Sequence, residues 1–139
     1  MMYEENREKN VKVNEKYLQD FLKYLIANGL SEKMSYKHVY NMDFYLNDYL
    51  NYYEVVKMKD GVEHVDEFFM DWFKRKAMWS TPASYKQNFT SLKKFYGYMC
   101  ERNLVSKETY EELLSTIRER KAIWLKEIDR YNTPDDFMF

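Results

Sequence analysis

Apolar residues return every three or four positions along most of the chain, a spacing that predicts helices. Tyr17, Leu18, Phe21, Leu22, Leu25 and Ile26 mark a first helix over about 14–28, with Gly29 placed to cap its C-terminus. Ser31 is an N-cap for a second helix reaching to about Glu54, with a buried stripe of Ser35, Val39, Met42, Leu46, Tyr49, Leu50 and Tyr53. A turn follows at Asp60-Gly61. Val65, Phe68, Phe69, Trp72 and Phe73 define a third helix over about 65–76. Thr81 and Pro82 suit the N-cap and first position of a fourth, which runs to about Arg102 and turns Tyr85, Phe89, Leu92, Phe95, Tyr96 and Met99 inward. Asn103 ends it, Ser106 caps a fifth helix over about 107–131, and Thr133-Pro134 stops that one.

No segment alternates like a strand, and there is no internal repeat. The expectation is an all-α, single-domain bundle of about five helices. A polar N-terminal arm would occupy 1–12, the helical domain 13–132, and an acidic, aromatic tail 133–139.

Composition agrees with a packed core. Of 139 residues, 45% are hydrophobic and 19% aromatic, too many for a disordered chain, and with three glycines and two prolines the turns are few. The lone cysteine, Cys100, can form neither an internal disulfide nor a metal cluster, which fits a reducing, cytoplasmic setting. No apolar run approaches the roughly 20 residues of a membrane span, and the first ten residues lack a signal region. No Gly-rich phosphate loop or nucleophile motif is present, so neither a cofactor nor a small-molecule substrate is expected. The acidic stretch Glu63–Glu67 around His64 reads as helix capping and solvation rather than a metal site.

Charge changes the picture more. The net charge is -1, yet residues 74–102 hold seven basic side chains (Lys74, Arg75, Lys76, Lys86, Lys93, Lys94, Arg102) against Glu101 alone, while 31–73 is acidic. On the fourth helix the arc opposite the apolar one holds Ser84, Lys86, Gln87, Thr90, Ser91, Lys93 and Lys94, with no acid. Cations and hydrogen-bonding groups beside a positive helix N-terminus are the groups that grip phosphates and reach base edges.

The order of features resembles the N-terminal, core-binding domain of the tyrosine recombinases, the phage integrase family. A helix ending in Gly29-Leu30-Ser31 is followed by one opening with small polar and basic residues. A later helix opens with Thr81 and carries Phe89, Leu92, Lys93, Phe95 and Tyr96 where the family has Leu-x-x-Leu-[Arg/Lys]-x-Phe-[Tyr/Phe]. The resemblance covers roughly 13–105 and implies a SAM-like helical bundle that clamps duplex DNA through the starts of these two helices. Carried over by position, the contacts would be Ser31, Lys33, Met34 and Lys37 on the second helix. On the fourth they would be Thr81, Ser84, Lys86, Gln87, Asn88, Ser91 and Lys93, with Lys94 added from the basic arc. Gln87 and Asn88 stand where the family often has arginine, and Met34 where it often has threonine.

Recombination also needs a tyrosine nucleophile and a cluster of arginine and histidine, which the family carries in a second domain. Here His38 and His64 are followed at the His-x-x-Arg spacing by Asn41 and Glu67. The expectation is therefore a binding module without catalysis, either a recombinase fragment or a stand-alone relative. A second possibility is a protein-interaction module that docks a recombinase, or a second copy of itself, through the fifth helix and the tail with Phe137 and Phe139 as anchors.

Overall fold

The first helix, α1, is longer than its apolar spacing predicts. In the computed structural model, which describes residues 2–133, it spans Met2–Ala27. Most of the residues read as a polar arm are thus its opening turns. They are held by polar contacts, which an apolar periodicity cannot register. Asn10 donates to Asn51 Oδ1 at 2.9 Å, Asn14 donates to Asn47 Oδ1 at 2.8 Å, and the Tyr3 hydroxyl donates to the Asn51 carbonyl. Asn10 and Asn14 are buried in line with Leu18, Phe21 and Leu25. The helix ends as Gly29 requires. At φ 92° that residue lets Leu30 N–H reach Leu25 O and its own N–H reach Ile26 O, the double bond of a Schellman cap.

Helix α2 covers Glu32–Asp43, with Ser31 Oγ accepting from Met34 N, and continues as a π-helical turn over Phe44–Tyr49. There Leu50 N donates to Tyr45 O, five residues back. The helix therefore closes at Tyr49 rather than near Glu54, and Tyr53, expected in the buried stripe, is exposed. A 3₁₀ segment, Met58–His64, leads into α3, residues 65–76, whose middle (Phe68–Trp72) is again π-helical. Gly61 lies where two tyrosines converge. Tyr45 donates to its carbonyl at 2.7 Å, and a Cβ there would come within 2.5 Å of Tyr96 Oη.

Helix α4 spans Pro82–Glu101 and α5 spans Lys107–Asn132, capped by Thr81 and Ser106 as the sequence predicts. Asn103, at φ 61°, closes α4 with a second Schellman pair, Leu104 N to Met99 O and Asn103 N to Cys100 O. These five helices make one all-helical domain, with no strand among the described residues. α1 packs on α2, α2 on α4, and α4 on α5.

The core between them is largely aromatic. Phe21 meets Phe95 edge-on at 5.2 Å, and Phe69 lies against Tyr85, Phe89 and Trp124. Among the described residues no helix is long and apolar enough to cross a membrane.

Candidate nucleic-acid interface

Because α2 and α5 flank α4, the polar arc of that helix divides between two neighbours. Lys86 and Lys93 are exposed and face α5. With Lys121 from that helix they frame a shallow groove of about 400 Å³, floored by Phe89, Ile117 and Leu125. Among the described residues no carboxylate lines it. Lys94 turns the other way, to the corner where α1 hands over to α2, beside Tyr24, Asn28 and Leu30. Lys33 and Lys37 are exposed on the first turns of α2.

The rest of the basic block is already engaged. Lys74 bonds Glu127 at 2.5 Å, and Arg130 bonds the same carboxylate at 2.7 Å. Together they hold Glu127 down to about 2, below the usual carboxylate range. Arg75 pairs with Asp71 and Arg102 with Asp20, each at 2.9 Å. Lys76 donates to Tyr52 Oη at 2.7 Å and sits over that ring. Among the described residues, Lys86, Lys93 and Lys94 are the members of the block with neither a carboxylate nor an aromatic partner.

Several polar positions drawn from the helix starts have structural work instead. Ser91 is fully buried and not available to DNA. Its hydroxyl meets His38 Nδ1 at 2.7 Å, Asn41 Nδ2 at 2.9 Å and Gln87 O at 3.1 Å, pinning α4 to α2. Asn88 is buried too, donating to Ser84 O.

Thr81 and Ser84 form a reciprocal capping box, Thr81 Oγ1 accepting from Ser84 N and Ser84 Oγ from Thr81 N. Ser31 caps α2 with a single bond, its Oγ accepting from Met34 N. Gln87 is half-buried, and Met34 is exposed at the edge of α2. Of the predicted set the lysines remain exposed, as do Ser31, Met34 and Thr81, and the groove adds a residue outside that set, Lys121. Its signal was positional: it lies one turn from both Ile117 and Leu125, but only the pairing of α4 with α5 shows what that edge faces.

His38 links this surface to stability. Burial, and then the nearby positive charge of Lys94, hold its imidazole below the ordinary value of about 6.5. The unfolded chain therefore takes up the proton first. Stability is unaffected above that ordinary value, falls as pH drops through it, and levels off once the folded imidazole also protonates. Urea unfolding from about pH 7.5 to 5 should show this loss, and His38→Gln should flatten the profile whatever its effect at pH 7.5. An unchanged slope in the variant would remove His38 as the cause.

Comparison with family models, with curated proteins and with solved structures finds no match to the chain.

Proposed function

We propose that this protein is a non-catalytic DNA-binding domain that grips duplex DNA on the α4 side, as the resemblance to the core-binding module of tyrosine recombinases implies. The observation that carries the reading is the lysine groove. Lys86, Lys93 and Lys121 stand around one concavity with no carboxylate in it among the described residues, in a chain whose net charge is slightly negative. An ordinary solvated face mixes both signs. The starts of α2 and α4 supply further positive potential, with Lys33, Lys37 and Lys94 near them.

No catalytic step belongs to the proposal. The buried tyrosines Tyr45, Tyr85 and Tyr96 spend their hydroxyls on backbone carbonyls, and burial raises each further from ionisation. That favours a structural role over nucleophilic attack.

The test is titration of a labelled duplex at a series of salt concentrations. Four or five phosphate contacts, at a log–log slope of about -0.9 each, predict a slope near -4 and a dissociation constant of roughly 10⁻⁴ to 10⁻⁶ M. Absence of duplex binding in low salt would sink the reading.

A second reading, a protein-interaction module acting through α5, draws on the exposed Ile123 and Tyr131 of that helix. The tail expected to assist it, with Phe137 and Phe139, lies outside the described residues.

A further inference from the structure

The outer face of α2 carries a pattern of which the proposed duplex site uses only the two lysines. Lys33, Tyr36, Lys37 and Tyr40 follow one another at helical i, i+3, i+4 and i+7 spacing, so all four share one side of the helix. Tyr36 and Tyr40 are 56% and 63% exposed, and among the described residues neither hydroxyl has a hydrogen-bond partner. One turn on, Phe44 continues the stripe, and Trp79 from the α3–α4 connection packs on it at 5.6 Å while staying 51% exposed. Glu32 and Asp43 fall to one flank of this face, leaving its centre free of acid.

We infer that this stripe is a binding track for single-stranded nucleic acid, with bases stacked on Tyr36, Tyr40 and Trp79 and phosphates held by Lys33 and Lys37. Aromatic faces that take any base, interleaved with cations along the backbone path, are the working parts of such sites. The spacing suits the task. Residues one turn apart are about 6 Å apart along the axis, close to two nucleotide steps of about 3.4 Å. The alternation also argues against a protein partner, because protein contacts enrich tyrosine and tryptophan but deplete lysine. The track shares Lys33 and Lys37 with the proposed duplex site and otherwise stands apart from it.

Binding of an oligothymidylate of about twelve nucleotides tests the assignment. Stacking is worth roughly 1–3 kcal/mol per base, or about 5- to 150-fold. Tyr36→Ser with Tyr40→Ser should therefore weaken strand binding at least about 25-fold, with duplex affinity held within about twofold. Both tyrosines are exposed, so the variant should keep its helicity. Trp72 and Trp124 are buried, so strand binding should quench the emission of Trp79, and Trp79→Phe should abolish the quenching.

Equal strand affinity in parent and double variant, or Trp79 emission indifferent to the strand, overturns the inference. So does a double variant whose only defect is lost self-association in sedimentation. Loss of the duplex reading alone would look different: strand binding would persist in a parent protein that ignores duplex.

Discussion

Replacing Lys86, Lys93 and Lys121 together with alanine is expected to remove most of the salt dependence of duplex binding. Each phosphate contact contributes about -0.9 to the log–log slope, so three lost contacts flatten it by up to about 2.7. Between about 50 and 200 mM salt the parent should then lose roughly fortyfold more affinity than the variant. All three side chains are exposed or rim a surface groove, so unfolding midpoints should stay close to the parent's. A matched change of Lys23, Lys107 and Lys126, exposed cations away from the groove, separates location from total charge. Lys121 lies outside the set drawn from the sequence, and the single change Lys121→Ala decides whether its place in the groove matters. A slope reduced by about one unit puts Lys121 on the DNA, whereas an unchanged slope returns it to the solvated surface.

What the sequence reveals and conceals here has a common physical basis. Helix ends were legible because Ser31, Thr81 and Ser106 cap through their own side chains, and Gly29 and Asn103 take the left-handed turn their residue types favour. The inner faces of α3 and α4 were legible because their burial is apolar. Polar burial was not. Asn10 and Asn14 read as surface residues until Asn51 and Asn47 are seen across from them, and Ser91 reads as a DNA contact until His38 and Asn41 close over it.

The π turn at Phe44–Tyr49 likewise defeats a fixed 3.6-residue period. It adds a residue to the turn and brings Tyr45, Leu46 and Tyr49 to the core together. The candidate site followed the same rule. Its exposed lysines survive from sequence to structure, while its hydroxyls were claimed by caps and inter-helix bonds.

The groove exists only if α5 lies against α4, and one side chain dominates that seat. Trp124 is fully buried, stacked on Phe69 with ring centroids 4.8 Å apart and close to Phe89 at 5.6 Å. Its indole N–H donates to Asp66 Oδ1 at 2.8 Å, an oxygen that Arg120 also bonds at 2.9 Å. Trp124→Ala should cost about 3–5 kcal/mol, as truncations of large buried aromatics do when the surroundings collapse only in part. For a domain whose total stability is expected to be about 5–15 kcal/mol, that is enough to populate unfolded protein at moderate temperature.

Trp124→Phe separates the causes. It retains much of the aromatic volume and forfeits the bond to Asp66, whose carboxylate keeps Arg120, so it should cost only about 1–2 kcal/mol. Urea midpoints of the two variants should therefore differ widely. If they coincide, the hydrogen bond to α3 rather than aromatic packing seats α5, and the groove's geometry depends on Asp66. With the larger loss confined to alanine, Trp124→Phe should keep the salt slope of the parent, because the α4–α5 edge that positions Lys86, Lys93 and Lys121 stays closed.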